Sequence, residues 1–239
     1  HNQQNTYGPR QWDAAQTNAY LNAIFQTSFD DSATDHWDDH QHKLSAGLSL
    51  NYDGYIEEIG VLGDKAMRLD RWEVTPGVFA EYTYTYKDKL TLLAGIREDY
   101  STRYGFFTTP RMNVRFAPFE WWTLRGSVGL GYRSPNAIAD NAAYLASNRI
   151  YQFFTTLHNS TPHYTTLPHA KLAQERSMNT GLSTVFYIPM GKRELQLSGE
   201  YYYTKFLDGV IADMDRSLHG ITLYNMHDVD GAQYFSHNW

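Results

Sequence analysis

The densest group of potential metal ligands in the sequence lies between Asp35 and His42. It places three imidazoles, those of His36, His40 and His42, among carboxylates. Imidazole and carboxylate groups together suit Zn²⁺ or another borderline cation. However, His36 and His40 share a face only on a helix, whereas this stretch connects two predicted strands. The stretch therefore indicates either a metal site or an ordinary solvated turn.

A second set of candidate binding residues lies in the longest predicted loop, residues 134–173. Imidazole, guanidinium and phenol groups suit haem, metal chelates and aromatic ligands, and binding residues concentrate on long loops. Their spacing matches no metal motif, so an ordinary polar loop is the alternative. The candidates for ligand contact are Tyr144, Arg149, Tyr151, His158, His163, Tyr164 and His169.

The sequence contains no recognisable catalytic arrangement. The glycines of residues 126–131 have the wrong spacing for a dinucleotide site, and Gly191-Lys192-Arg193 lacks the rest of a phosphate-binding loop. Nucleophile-elbow, HExxH and EF-hand patterns are absent. We therefore predict a protein that is not an enzyme, and no cofactor is predicted.

Composition excludes several other classes. The 20 Lys and Arg against 26 Asp and Glu give a net charge of −6, which argues against nucleic acid as a partner. No cysteine is present, so a disulfide framework and a thiolate metal site are excluded. No apolar stretch is long enough for a transmembrane helix, and the polar start of the chain does not resemble a signal peptide. Yet 15% of the residues are aromatic, and this excess needs a structural reason.

Strict alternation of apolar and polar residues is the dominant pattern, and it predicts strands with two different faces. The expected fold is therefore all-β, an antiparallel meander of about eight or nine strands. One short helix is predicted between Asn136 and Asn148 in the long loop. The strands are predicted at 42–53, 70–86, 89–100, 109–118, 121–133, 175–188 and 194–205, with weaker ones at 17–29 and near 209–225.

The predicted connections differ in length, which indicates a sheet with one trimmed end and one elaborated end. Residues 30–41 are expected at the trimmed end. The tight hairpins are predicted at 86–89, 117–120 and 189–192, and the longer loops at 55–69, 101–108, 134–173 and 206–220.

The direction of the apolar face distinguishes a soluble β protein from an outer-membrane barrel, because only the latter turns its apolar face outward. The alternation lasts about 10–14 residues, enough to cross a bilayer at a tilt. Aromatic rings gather near the strand ends, as at a membrane interface. The polar face carries charges that can pair in a solvated lumen, namely Arg97, Arg111, Arg115, Arg125, Arg133, Glu73, Glu81 and Asp99. These features favour a transmembrane β-barrel.

Several short motifs follow one another in a fixed order. They are residues 76–84 (PGVFAEYTY), 94–99 (AGIRED), 109–111 (TPR), 129–141 (GLGYRSPNAIADN) and 145–149 (LASNR). In this order they resemble the mid-barrel of TonB-dependent outer-membrane receptors of the Bacteroidetes type. Residues 7–10, 47–53 and 174–203 are similar as well, so the resemblance covers nearly the whole chain.

The resemblance implies a transport receptor in the bacterial outer membrane that imports a scarce ligand such as a siderophore, haem or a vitamin. It implies three partners: outer-membrane lipid, the small-molecule ligand, and a TonB-type energy-coupling protein that acts through a plug domain. The family's barrel has 22 strands around that plug. Because this chain is much shorter, we expect residues 1–239 to be a partial barrel domain without the plug and the remaining strands.

Two alternatives stay open at the level of sequence. Eight strands suffice to close a small barrel, so the chain could be a self-contained adhesin or structural outer-membrane protein. Such a barrel requires its first strand to pair with its last. A soluble β-sandwich that acts as a binding module would instead bury Leu44, Leu48, Leu124 and Leu195 in a protein core.

Overall fold

The computed structural model describes residues 1–8, 10–29, 39–61, 67–146, 150–158, 161–165, 172–191, 193–214 and 220–239. Within these ranges, no helix is long and apolar enough to cross a membrane. The described ranges contain two short 3₁₀ helices, Ala139–Ala146 and Met226–Asp228. The strands are β1 Asn2–Tyr7, β2 Arg10–Phe29, β3 His40–Val61, β4 Met67–Tyr86, β5 Leu90–Ser101, β6 Gly105–Phe119, β7 Trp122–Arg133, β8 Ile150–His158, β9 Thr161–Thr165, β10 Glu175–Met190, β11 Arg193–Asp208, β12 Val210–Asp213, β13 Gly220–Asn225 and β14 Tyr234–Asn238.

Ten of these strands form one sheet in the order β1-β2-β3-β4-β5-β6-β7-β10-β11-β14. Every neighbouring pair is antiparallel. The expected all-β meander is therefore confirmed, with one or two more strands than the alternation indicated. In the described part of the chain β1 and β14 are edge strands, so the sheet does not close on itself as a self-contained small barrel would.

The two faces of the sheet follow the alternation of the sequence. Apolar side chains on one face are exposed, with Leu48 61%, Ile96 55% and Leu182 54% accessible. Leu195 is 42% accessible, and Leu44 and Leu124 are only half-buried. The core that a soluble β-sandwich would form from these leucines is therefore not observed. We call this face the outer face and the opposite, polar face the inner face.

Three predicted connections are corrected by the structure. Residues 55–69 are largely strand, because β3 continues to Val61 and β4 begins at Met67. Residues 101–108 contain only a short turn, in which the Ser101 hydroxyl accepts hydrogen bonds from the backbone N–H groups of Arg103 and Tyr104. Residues 206–220 include the end of β11 and all of β12. In each case the stretch was too short, or too mixed in apolar and polar residues, for its alternation to identify a strand.

The hairpin between β4 and β5 shows how the trimmed end is kept short. Lys87 and Asp88 both have positive φ, 46° and 53°. Two such residues form the tight turn whose twist matches that of the flanking strands. Lys89 N–H donates to the Tyr86 carbonyl at 2.9 Å. The β6–β7 and β10–β11 connections at this end are similarly short.

The elaborated end carries a second sheet in the order β12-β13-β8-β9. It is built from the two long connections, the one between β7 and β10 and the one between β11 and β14. Its β13 and β8 are parallel, so the expectation that all strands are antiparallel is wrong here. The parallel pair joins residues 220–223 to residues 150–153, which are far apart in sequence and carry no shared periodic signal. The predicted short helix is present as the 3₁₀ helix Ala139–Ala146.

Candidate functional site

The long connections fold back onto the inner face instead of extending away from the sheet. Ile138, Leu145, Ile221 and Leu223 are buried together with Trp12 of β2. Half-buried side chains of the sheet pack against this cluster, namely Ala14, Ile59 and Leu69. Apolar residues thus replace polar ones on the inner face where the connections dock. Burial of this surface is what holds the second sheet over the inner face.

Residues 134–140, which we call the crossing segment, run from the end of β7 to β4 and β3. The segment passes two intervening strands, because β5 and β6 lie between β4 and β7 in the sheet. Ser134 donates its hydroxyl to Glu73 of β4 at 2.7 Å. Arg71 of β4 donates to the Pro135 carbonyl at 2.8 Å. The segment therefore covers part of the inner face at the elaborated end.

The buried contact under the crossing segment joins Glu57 to Arg71 and Asn136. Glu57 is 3% accessible and accepts a hydrogen bond from the Asn136 amide at 3.2 Å. Its carboxylate lies 3.9 Å from the Arg71 guanidinium, which stacks 4.2 Å above the Tyr55 ring. Burial raises the pKa of Glu57 and lowers the pKa of Arg71, because each charged form loses water. Both groups lie beyond the stretch of β3 and β4 that alternates most regularly.

Asn136 and Asp140 fix the shape of the crossing segment. The Asn136 side-chain oxygen accepts the backbone N–H groups of Ile138 and Ala139 at 3.2 and 3.1 Å. Asp140 accepts the backbone N–H of Asn136 at 2.8 Å. Arg133 then binds Asp140 at 2.8 Å and Glu175 at 2.6 Å, so the segment is tied to β7 and β10 as well.

A cavity of about 360 Å³ opens on the inner face beside the crossing segment. Its wall consists largely of strand residues, and several of their side chains are hydrogen-bonded to one another. Arg97 forms a two-pronged ion pair with buried Asp99 at 2.7 and 2.6 Å, and Glu73 accepts the hydroxyl of Ser101 at 2.6 Å. The lining residues are Asn51, Asp53, Tyr55, Arg71, Trp72, Glu73, Thr75, Arg97, Asp99, Arg103, Tyr104, Phe107, Tyr132, Arg133, Ser134 and Gln174. We call this cavity the chamber.

The chamber combines one cation that lacks a carboxylate partner with a set of aromatic rings. Among the described residues Arg103 has no salt bridge, and its guanidinium lies 5.8 Å from the centre of the Tyr104 ring. The Phe107 and Tyr132 rings lie 4.8 Å apart. Burial raises the pKa of Tyr104, so its hydroxyl keeps its proton and can donate a hydrogen bond. Such a surface suits a ligand that has anionic oxygens and planar groups.

The structure locates the backbone of five predicted loop candidates. Tyr144 lies in the 3₁₀ helix Ala139–Ala146, Tyr151 and His158 in β8, and His163 and Tyr164 in β9. The register places Tyr164 opposite Phe154 and His163 opposite Thr156. The side chains of these five residues, and the whole of Arg149 and His169, lie outside the described residues. Their contact with a ligand stays a prediction.

The predicted metal ligands His40 and His42 lie on the outer face at the trimmed end. Their Nδ1 atoms are hydrogen-bonded to the hydroxyls of Tyr84 and Tyr82, at 2.7 and 2.5 Å. His36 lies outside the described residues. Within the described ranges no three His, Cys, Asp or Glu side chains are grouped as metal ligands. The metal site that includes His36 stays a prediction.

As candidate site residues, sequence reasoning missed Glu57 and Arg71, which lie under the crossing segment, and Arg103, which lines the chamber. Glu57 and Arg103 fell in stretches that were predicted to be loops, and Arg71 lay at the start of the predicted strand 70–86. One signal was present: the polar positions Asp53, Tyr55 and Glu57 continue the alternation of β3 beyond its apolar part. The correct interpretation was that β3 continues beyond its apolar stretch while its inner face stays polar.

Comparisons with known proteins show which family and which solved structures the chain resembles. A family model described as TonB dependent receptor-like, beta-barrel, matches residues 1–232. No curated protein matches the chain in sequence. Among solved structures, the Serratia marcescens hemophore receptor HasR in complex with its hemophore HasA and heme has a TM-score of 0.61 at 17% identity, covering 95% of this chain and 39% of that one. The siderophore receptor PirA from Acinetobacter baumannii has a TM-score of 0.52 at 13% identity, covering 95% of this chain and 34% of that one.

These structural likenesses concern the fold. The chain spans between about a third and two-fifths of the length of the two solved structures. An antiparallel sheet with one exposed apolar face agrees with the β-barrel family that matches residues 1–232.

Proposed function

Because the chain belongs to the family of TonB-dependent receptor β-barrels, which lie in the bacterial outer membrane, we propose that it forms part of the wall of one ligand importer. Residues 1–239 would be a partial barrel domain of that receptor. The ligand is a scarce small molecule such as a siderophore, haem or a vitamin. Uptake is driven by a TonB-type partner that acts through the plug domain of the complete protein.

The chamber is the observation that carries this proposal. It lies on the inner face at the elaborated end, where a receptor meets its ligand before uptake. Its lining is held in place by the ion pair of Arg97 with Asp99 and by the hydrogen bonds of Glu73. Arg103, which has no carboxylate partner among the described residues, and the rings of Phe107 and Tyr132 line the chamber and could contact a ligand. A site whose polar groups are already oriented binds with a smaller entropic cost.

The outer face supports a position in the bilayer. Exposed leucine, isoleucine and phenylalanine side chains on β2 to β11 would cost free energy in water, whereas lipid accommodates them. The aromatic rings near the trimmed end, such as the stacked Phe119 and Trp121, suit the depth of the lipid headgroups. We therefore assign outer-membrane lipid as the partner of this face.

The long connections supply further ligand contacts in the proposal. Tyr144, Arg149, Tyr151, His158, His163, Tyr164 and His169 all belong to the connection between β7 and β10. That connection also contains the crossing segment, which borders the chamber. This connection would therefore contact a ligand in the chamber from the side that faces away from the sheet.

The test uses the full-length receptor and a panel of probes: haem, a ferric catecholate, a ferric hydroxamate and cobalamin. We expect one probe to quench tryptophan fluorescence saturably, and Arg103→Ala to weaken its binding about tenfold, the effect of losing one charge-assisted hydrogen bond. Arg193→Ala, at the opposite end of the sheet, is the matched control and should bind normally. Cells should accumulate the same probe only when a TonB-type protein is present. Equal binding by Arg103→Ala and the unaltered receptor would reject the chamber as the ligand site.

A further inference from the structure

Arg71 and Arg103 lie between two cavities of the inner face. Both arginines line the chamber, and both line a smaller cavity of about 140 Å³ under the crossing segment. The buried side chain of Glu57 lines this smaller cavity. Two cationic side chains therefore separate a buried carboxyl group from the space that the proposed function assigns to a ligand.

The charge of Arg71 is only partly neutralised by the groups around it. The Glu57 carboxylate lies 3.9 Å from the Arg71 guanidinium, which is too far for a hydrogen bond. Arg71 donates to the Pro135 carbonyl at 2.8 Å and stacks on the Tyr55 ring. Among the described residues, its Nε atom is buried without a hydrogen-bond partner. A buried guanidinium with an unused donor favours an additional anion beside it.

The second arginine adds to this excess of positive charge. Arg103 has no carboxylate partner among the described residues. Burial lowers the pKa of Arg71, Glu57 raises it, and the charge of Arg103 lowers it. Arg68 also lines the smaller cavity but is paired with Asp70 at 2.9 Å. An anionic group in the chamber would therefore contact two arginines, whereas Glu57 approaches Arg71 from the smaller cavity.

The surroundings of Glu57 make Arg71 the main group that keeps this carboxyl ionised. Burial raises the pKa of Glu57, and Arg71 is the largest of the influences that lower it. Asp140 of the crossing segment raises the same pKa as a like charge. The cross-strand partners of Glu57 are the uncharged Ala14 on β2 and Leu69 on β4. The charge of Glu57 is thus linked to the charge that Arg71 presents to it.

We propose that Glu57 regulates ligand binding in the chamber by competing for the charge of Arg71. The ionised carboxylate attracts Arg71 from the smaller cavity, and the protonated form leaves that charge to an anionic group in the chamber. The inference rests on the proposed function, since it assigns a regulator to the same ligand site. Linkage makes the coupling reciprocal: an anion beside Arg71 strengthens proton binding by Glu57 by the same factor. Anion binding is therefore accompanied by proton uptake wherever Glu57 is ionised in the free receptor.

The test is isothermal titration calorimetry of the full-length receptor with naphthalene-2-sulfonate. The ring of this probe can stack on the aromatic lining of the chamber, and its sulfonate remains ionised at every pH used. Titration in two buffers of different ionisation enthalpy gives the number of protons taken up with each probe molecule. We expect binding to be about tenfold tighter at about pH 5 than at about pH 7, with net proton uptake between these values. Binding that is independent of pH, or that proceeds without proton uptake, would overturn the proposal. Failure of the probe to bind at either pH would also overturn it, because the chamber would then not be an anion site.

The variant Glu57→Gln identifies the group that titrates. Because its side chain cannot ionise, this variant should bind the probe at every pH about as tightly as the unaltered receptor does at the lower pH, without proton uptake. Glu58→Gln is the matched control, since Glu58 is the adjacent carboxylate and pairs with Arg68 at 3.0 Å. This control should keep the pH dependence. Persistence of the pH dependence in Glu57→Gln would assign it to another group and reject the proposal.

Transport is measured separately from this regulation. TonB-dependent accumulation of haem, the ferric catecholate, the ferric hydroxamate or cobalamin tests the proposed function, whereas calorimetry tests the role of Glu57. Proton-coupled binding in a receptor that accumulates none of these probes would reject only the transport function. Normal accumulation together with pH-independent binding would reject only the regulation by Glu57.

Discussion

At the scale of single residues, several glycines of the inner face lie under large side chains of the neighbouring strand. A Cβ added to Gly47 would lie 2.6 Å from the Phe79 ring and would also collide with the Ala23 carbonyl. A Cβ at Gly181 would lie 2.7 Å from the Ser127 hydroxyl and 2.8 Å from the Tyr202 ring. The missing side chains thus make room for aromatic rings that cover the strands.

We predict that Gly47→Ala destabilises the full-length receptor by about 1–3 kcal/mol, because a backbone carbonyl cannot move aside as a flexible side chain can. Denaturant unfolding in detergent micelles measures this. Gly199→Ala is the matched control, since its Cβ would meet only the Thr184 methyl at 4.0 Å. Equal stability of the two variants would show that the space above Gly47 is not restricted.

At the scale of elements, we predict that the attachment of the crossing segment depends on pH. Burial raises the pKa of Glu57 above its ordinary value of 4.5, so the folded state binds the proton more readily than the unfolded state. The stability from this shift is present in full below pH 4.5 and is lost as the pH rises through the raised pKa.

The expected result is that amides of residues 136–146 become better protected from hydrogen exchange when the pH falls from about 7 to about 5, after correction for intrinsic rates. Glu57→Gln keeps an acceptor oxygen for Asn136 but cannot titrate, so its protection should not change with pH. If the pH dependence persists in Glu57→Gln, another group is responsible for it.

The elements also show what could be predicted from sequence. Strands β3 to β7, β10 and β11 were predictable because each alternates over most of its length, as in Leu44, Leu48 and Leu50. The strand β1 was not, because Asn2 to Thr6 are all polar and the pairing with β2 alone defines it. The second sheet was missed for a related reason: its parallel pair depends on contacts between distant segments, and no local pattern encodes them.

The candidate site was less predictable than the fold. Alternation placed Arg97, Asp99, Arg111 and Glu81 on the inner face as charges that can pair, and the structure supplies the pairs Arg97 with Asp99 and Arg111 with Glu81. It could not identify the contact of Glu57 with Asn136, which are 79 residues apart and meet only because the crossing segment folds inward. It also could not show that Glu73 accepts hydrogen bonds from the hydroxyls of Ser101 and Ser134 instead of pairing with an arginine.

At the scale of the whole molecule, the aromatic and aliphatic excess of the outer face and the charge of the inner face have one explanation. In the proposed receptor the sheet would separate lipid from a polar interior. The chamber lies at the elaborated end of that interior. The proposed function requires that the inner face be the one that meets water.

The most direct measurement of this central claim is a scan of single cysteines along β11, which is feasible because the chain contains no cysteine of its own. Nitroxide labels at Leu195, Gln196, Leu197 and Ser198, in a cysteine-free full-length receptor in lipid vesicles, report accessibility to oxygen and to a nickel chelate. We predict that positions 195 and 197 are accessible to oxygen in the lipid, and that positions 196 and 198 are accessible to the aqueous chelate. Equal accessibility at all four positions, or the reverse alternation, would contradict the assignment of the two faces.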